Sequence, residues 1–186
     1  MKVINLFGSP GSGKSTTAAG LFHRLKTLDY NVELVTEVAK DLVWSKRFKC
    51  LENQAKVTVD QYERLRRLED QVDYVITDSP IILGIFYQPK PYFLLFEPFV
   101  MELFESFDNI NFFINRKKKY NPKGRMQTEK ESNLISLQLQ DLLRDCGYDY
   151  KSFDGNKGVV NAIMNHLKYN KIIDKQSGQG IYKCPN

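Results

Sequence analysis

Gly8-Ser9-Pro10-Gly11-Ser12-Gly13-Lys14-Ser15-Thr16 decides the reading of this sequence. The stretch satisfies G-x-x-x-x-G-K-[S/T]. It lies between an apolar run, Lys2 to Phe7, and a helical pattern from about Lys14 to Leu28. A strand, a glycine-rich turn and a helix in that order are the setting in which this motif binds phosphate. Glycines at 8, 11 and 13 let the backbone turn tightly and bring N–H groups around an anion without Cβ clashes. The helix that follows adds the positive end of its dipole. Lys14 can bridge the β- and γ-phosphates of a nucleotide, and the Ser15 hydroxyl can ligate Mg²⁺. The expected nucleotide-binding set is Gly8, Ser9, Gly11, Ser12, Gly13, Lys14, Ser15 and Thr16, with ATP and Mg²⁺ implied.

Such a site needs an acid at the end of a central strand, to hold the magnesium through water. Asp73-Tyr74-Val75-Ile76-Thr77-Asp78 supplies one, with Asp78 closing the apolar segment. In open α/β sheets ligands collect at this edge. Asp78 joins Ser15 as an expected metal ligand.

The rest of the chain alternates strand and helix patterns. A second strand, Asn31 to Thr36, precedes a helix near Val38 to Ser45. Gln54 to Gln71 is long, charged and helical in period, with Val57, Tyr62, Leu65 and Leu68 on one face. Tyr74 to Thr77 reads as the third strand. Tyr92 to Phe107 reads as a buried helix interrupted near Pro98. Asn111 to Ile114 is a fourth strand. Thr128 to Cys146 is a helix opened by a capping box, Thr128-x-x-Glu131. Lys151 to Phe153 is a weak fifth strand, and Val159 to Tyr169 a last helix. This alternation implies a three-layer α/β fold, with a five-stranded, mostly parallel sheet flanked by helices. Residues 1–168 are expected to form one domain and 169–186 a polar tail.

With 42% hydrophobic and 26% charged residues in 186, the composition excludes collagen-like and wholly disordered chains. No apolar run reaches the roughly 18 to 20 residues a membrane span needs, and no membrane partner is expected. Cys50, Cys146 and Cys184 match no zinc or disulfide pattern, and the N-terminus runs straight into a strand; a cytoplasmic protein fits best. The charge is local. Arg116, Lys117, Lys118, Lys119, Lys123 and Arg125 fall within ten residues that hold no acid. Take those six from the 27 bases and the remaining 21 face 22 acids. Such a block reads either as a site for an anionic partner or as a solvated surface loop.

These motifs together resemble the P-loop kinases of the nucleoside and nucleotide kinase class, and most of all the small, often phage-encoded, ribosylnicotinamide-kinase-like members. The resemblance covers roughly residues 1–168. It rests on the phosphate loop, on Thr36-Glu37-Val38-Ala39-Lys40, on Thr77-Asp78-Ser79-Pro80 and on the segment from Arg116 to Arg125. It implies that Glu37, after the second strand, faces the phosphoryl acceptor. Lys40 stands where the subgroup often has arginine. The resemblance also makes residues 115–128 a basic lid, shaped by Pro122 and Gly124, whose Arg116 and Arg125 fold over the transferring phosphate. Guanidinium groups suit that charge neutralisation. Asp154-Gly155-Asn156 occupies the place of an adenine-holding loop, and reads equally as a plain strand-to-helix turn. If the chain is phage-encoded, its cytoplasm is the host's.

The expected catalytic set is therefore Lys14, Glu37, Asp78, Arg116 and Arg125. The expected reaction is transfer of the γ-phosphate of ATP to a hydroxyl or phosphate of a nucleoside- or nucleotide-like acceptor. Three lysines in a row could instead track a nucleic-acid backbone, with the hydroxyl on a polynucleotide or on a modified base in DNA. A regulatory NTP-binding ATPase without an acceptor is a further reading. Against a guanine-specific switch, Asn170-Lys-Ile-Ile-Asp174 has the wrong spacing for a guanine reader. Phe86, Tyr87, Tyr92, Phe93 and Phe96 could stack an acceptor base, though core packing is the commoner fate of such rings. His23 and His166 read as structural or exposed, and Trp44 as packing.

Overall fold

The computed structural model describes residues 1–121 and 127–174. Five strands form one sheet: β1 (Lys2–Phe7), β2 (Val32–Val35), β3 (Tyr74–Thr77), β4 (Asp108–Asn115) and β5 (Lys151–Asp154). Their order is β2-β3-β1-β4-β5, and all four pairings are parallel. Among the described residues seven α-helices lie between and after them: α1 (Lys14–Lys26), α2 (Val38–Trp44), α3 (Gln54–Arg66), α4 (Leu83–Tyr87), α5 (Phe96–Glu105), α6 (Glu129–Asp145) and α7 (Val159–Tyr169). The expected α/β/α architecture is present.

Alternation along the strands builds two cores. Ile4, Leu6, Ile76, Phe112 and Ile114 face α1 and α7, where Leu21, Leu25, Ile163 and Leu167 are fully or almost fully buried. Val3, Phe7, Val75 and Phe113 face α3 to α6, against Leu65, Phe96, Val100, Phe104, Leu139 and Leu143. Apolar residues on successive positions of a strand are what a sheet covered on both faces demands. Asn5 interrupts the run, and its buried amide donates to Asn109 (2.8 Å) and Asn111 (3.1 Å) on the neighbouring strand.

Several sequence expectations change. The helix expected over Tyr92 to Phe107 begins only at Phe96, and Pro98 does not interrupt it. Pro98 falls in the first turn, where a missing N–H breaks no intrahelical bond. The long helix stops at Arg66 rather than Gln71. The short α4 and a 3₁₀ turn over Phe48–Glu52 had no periodic signal. Trp44 is not packed: it is 76% exposed. The start of the expected tail is ordered against the sheet, since Ile173 is buried in the core and Lys2 Nζ donates to Ile172 O (3.2 Å). Among the described residues, no helix is long and apolar enough to cross a membrane.

Candidate functional site

All five strands run parallel, so their carboxyl ends, Phe7 of β1, Val35 of β2, Thr77 of β3, Asn115 of β4 and Asp154 of β5, fall along one edge of the sheet. Every expected site residue within the described set follows one of those ends. The phosphate loop follows β1, Glu37 follows β2, Asp78 follows β3, Arg116 follows β4 and Gly155 follows β5. Parallel topology thus gathers at one edge residues separated by well over a hundred positions.

The loop from Gly8 to Gly13 is tightly built. Gly8 has φ 141°, and a Cβ there would stand 2.6 Å from Ile114 O and 2.7 Å from Ser12 Oγ. Any other residue would strain the backbone and push into β4. Lys14 Nζ donates to Gly8 O (2.6 Å) and Ser9 O (3.3 Å), which curls its ammonium over the loop. Ser9 and Ser12 are buried, while Ser15 and Thr16 on the first turn of α1 are exposed. The loop is braced from outside by α6, whose fully buried Ser132 donates to Pro10 O (2.8 Å) and lies 3.2 Å from Ser9 Oγ.

Glu37 is the residue before α2, yet its side chain makes no capping bond. The helix's first N–H is satisfied from elsewhere: Val38 N donates to Oε1 of Gln61 on α3 (3.0 Å), and Gln61 is 3% exposed. Arg64, one turn on, donates to Thr36 O (3.3 Å) and pairs with Asp41 (2.6 Å). The β2–α2 turn is thus clamped by α3, and the Glu37 carboxylate is left to the cleft. Burial raises its pKa; Lys14 opposes that rise, and the negative charge of Asp78 adds to it. Glu37, Lys14 and Asp78 therefore share one electrostatic neighbourhood. Tyr87 on α4 belongs to it too. It keeps 45% of its surface exposed, the state of a cleft wall crowded on one side, and that crowding pushes its pKa up to about 12, with Glu37's charge adding.

Asp78 is 6% exposed, and its buried Oδ1 has no hydrogen-bond partner among the described residues. A buried carboxylate oxygen left unpaired is costly. A divalent cation with its waters would resolve that cost. No cluster of three His, Cys, Asp or Glu exists among the described residues to cage a metal alone. The donors on offer, Asp78 and the exposed Ser15 hydroxyl, are few and all oxygen, which suits Mg²⁺ completed by waters and phosphate oxygens.

Arg116 departs from expectation. Its guanidinium donates to Glu129 (2.8 Å) and Asn133 on α6 and lies 5.3 Å from the Tyr120 ring centroid. These contacts hold it to α6 rather than over the phosphate loop; its Nε is buried without a partner among the described residues. Lys117 reaches Asp154 at 3.5 Å. Arg125, Pro122, Lys123 and Gly124 lie outside the described residues. Asp154-Gly155-Asn156 packs directly on the phosphate loop: Gly155 N donates to Asn115 O (2.8 Å), and a Cβ on Gly155 would stand 2.3 Å from Ser12 O. Asn156 Oδ1 accepts from Gly158 N (2.8 Å), a local turn bond. Of the aromatic set, Phe96 is core and Tyr92, Phe93 and Phe96 pack on one another at 4.6 to 5.2 Å; Tyr87, edge-on to Phe86 at 4.8 Å, is near enough to Glu37 to feel its charge. Gln61 and Ser132 were invisible in the sequence, because a buried polar residue on a helix reads as part of its wet face.

The strand order, the glycine loop wrapped under Lys14 and the acid after β3 define a P-loop NTPase fold. The chain belongs to the AAA domain family, whose model AAA_28 matches residues 3–157. Solved structures that share the fold include two of one enzyme. One is deoxyadenosine kinase from M. mycoides with products dCMP and a flexible dCDP bound: TM-score 0.52, 20% identity, covering 93% of this chain and all of that one. The other is the same kinase with dATP bound: TM-score 0.50, 15% identity, covering 89% and 98%. A comparison with curated protein sequences found no match.

Proposed function

We propose that this protein is an ATP-dependent phosphotransferase whose acceptor is a nucleoside- or nucleotide-like hydroxyl. The observation that carries this reading is the freed Glu37 carboxylate, held by Gln61's substitution as the α2 cap and facing Lys14 and Asp78. A carboxylate beside Lys14 and Asp78 can take a proton from the hydroxyl of an acceptor, which is the step this reading assigns to it. The fold it shares with a deoxynucleoside kinase supports the same class. The resemblance of residues 36–40 and 77–80 to ribosylnicotinamide-kinase-like proteins makes ribosylnicotinamide one acceptor worth testing.

In this mechanism the backbone N–H groups of residues 8–13 and Lys14 hold the donor's phosphates. Mg²⁺, held through Ser15 and Asp78, would neutralise charge between the β- and γ-phosphates. Glu37 accepts the proton of the acceptor hydroxyl as its oxygen bonds to the γ-phosphorus and the bond to ADP breaks. A carboxylate with a raised pKa is a stronger base, which suits that task. Arg116 exchanges Glu129 and Asn133 for the transferring phosphate. Gly155 sets the donor's base edge against the loop.

The test is transfer from labelled ATP to a panel of nucleosides, nucleotides, ribosylnicotinamide and single-stranded oligonucleotide. Transfer that is lost in a folded Lys14→Ala protein and slowed in Glu37→Gln supports the reading. Full activity in folded Lys14→Ala would overturn it.

A further inference from the structure

Trp44 is the chain's one tryptophan, and it sits 76% exposed at the end of α2. An indole has large apolar faces, and leaving it in water costs burial energy that almost any packing would recover. Its surroundings are distinctive. Phe48 on the following 3₁₀ turn is 52% exposed, and Val43 39%. Lys40, Lys46, Arg47 and Lys49 are all exposed, and residues 42–51 hold three bases and no acid. The nearest acid on α2, Asp41, is already paired with Arg64 at 2.6 Å.

The position of this surface is fixed relative to the cleft. Lys40 is near enough to Glu37 to oppose the rise in its pKa. Lys40 and Trp44 are four residues apart, on one face of α2 and opposite the buried Val38 and Leu42. At 1.5 Å per residue Trp44 lies about 10 Å along the helix from Glu37. A free nucleoside seated at Glu37 does not reach that far, whereas the neighbouring nucleotides of a strand do.

We propose that the exposed face of α2 and the turn after it, Lys40, Trp44, Lys46, Arg47, Phe48 and Lys49, bind single-stranded nucleic acid and carry it to the cleft. The inference rests on the phosphotransferase reading only in making the acceptor hydroxyl part of that strand. Exposed aromatic planes interleaved with bases are the chemistry of single-strand binding: rings stack on unpaired bases and cations follow the phosphates. A duplex hides its bases from such rings. The same composition can also meet an anionic membrane, but there a longer amphipathic helix is the usual form, and α2 has seven residues.

Because Trp44 is the sole tryptophan, its emission reads this surface directly. The full chain is titrated with single-stranded dT15, with a duplex of equal length and with phosphatidylserine vesicles. The expected result is quenching by dT15, weaker effect of the duplex and no shift with vesicles. With three phosphate contacts from Lys46, Arg47 and Lys49, log K should fall against log salt with a slope of about −2. Exchanging those three for Ser together should flatten the slope. Phe48→Ala and Trp44→Ala, followed by anisotropy of labelled dT15, should each weaken binding by roughly 5- to 100-fold, with unfolding midpoints unchanged. No quenching at low salt, equal affinity for duplex, or a blue shift with vesicles alone would overturn the proposal. Binding without transfer to any acceptor would sink the kinase reading and leave this surface standing; transfer to free nucleosides with no dT15 binding would do the reverse.

Discussion

Replacing Gly155 by alanine tests whether the β5–α7 loop and the phosphate loop work as one rigid unit. The added Cβ would stand 2.3 Å from Ser12 O and 3.0 Å from Asn115 O, both backbone atoms, and 3.1 Å from Ile114 Cγ2. Ordinary contact begins near 3.4 Å, so the two loops must separate by about 1 Å. Neither side yields cheaply. Asn115 is the last residue of β4, and Ser12 is held inside a loop braced by Ser132. Forcing one methyl into a close-packed contact costs about 1 to 3 kcal/mol. For a chain of this size that lowers the unfolding midpoint by roughly 2 to 12 °C. The same 1 Å moves the N–H groups that would hold phosphate, and a misplacement of that size can slow transfer by about 10²-fold. Gly158→Ala is the control: its Cβ would meet only the Asn156 side chain at 3.3 Å, so its midpoint should stay within about 2 °C. Thermal unfolding with and without Mg-ATP, and ATP affinity by calorimetry, read both effects. A Gly155→Ala protein as stable as wild type, binding ATP equally well, would refute the rigid coupling.

Other outcomes follow from the same geometry. Glu37→Gln should slow transfer by about 10²- to 10⁴-fold while stabilising the fold at pH 7. The fold raises this carboxyl's pKa, so wild-type stability falls as pH rises through it. The variant's gain should vanish below the ordinary glutamate pKa of about 4.3, a pH series of unfolding midpoints being the measurement. Gln61→Leu leaves Val38 N–H unpaired, which should cost about 1 to 3 kcal/mol. It should also lower kcat with KM for ATP unchanged, since the loss lies on the Glu37 side. Arg116→Lys keeps the charge but not the planar fork shared by Glu129 and Asn133, and should slow transfer in steady-state assays.

The glycine loop was legible because its chemistry admits few sequences at one spacing, and the strand before it and the helix after it give the setting the motif needs. β1, β3, α6 and α7 were legible from apolar period or capping, and α6 begins on the Thr128 capping box read in the sequence. What escaped depended on contacts between distant segments. Residues 81–87 have no helical period because α4 is buried on several sides, with Gly84 pressed against Thr58. Gln61 looked like part of a wet face, and only the fold brings it to Val38. Trp44 was misread because apolar residues inside is a one-way rule: cores are apolar, but surfaces are not free of apolar residues. The charge of residues 116–119 was plain, yet Arg116's partners lie 13 and 17 residues away on α6.

That placement gives α6 a double part. Within its first turns Glu129 and Asn133 hold Arg116, while Ser132, between them in sequence, holds the phosphate loop through Pro10 and Ser9. Glu129 and Asn133 are four apart and share a face; Ser132 is fully buried beneath them. Any movement of Arg116 toward a transferring phosphate therefore releases the outer face of α6 while its inner side stays fixed to the donor site. On the acceptor side α3 has the corresponding arrangement, with Gln61 buried under Val38 and Arg64 bonded outside to Thr36 and Asp41. Each half of the cleft is thus held by a buried, neutral hydrogen bond and by an ion pair whose carboxylate is exposed while its guanidinium is largely covered. The buried bonds fix geometry, because breaking them strands a polar group. The ion pairs keep their carboxylates in water, so a phosphate can replace them without stranding a buried acid. The phosphotransferase reading proposed above calls for that combination: loop positions that do not drift, and an Arg116 guanidinium that can leave a carboxylate for a phosphate when substrate arrives.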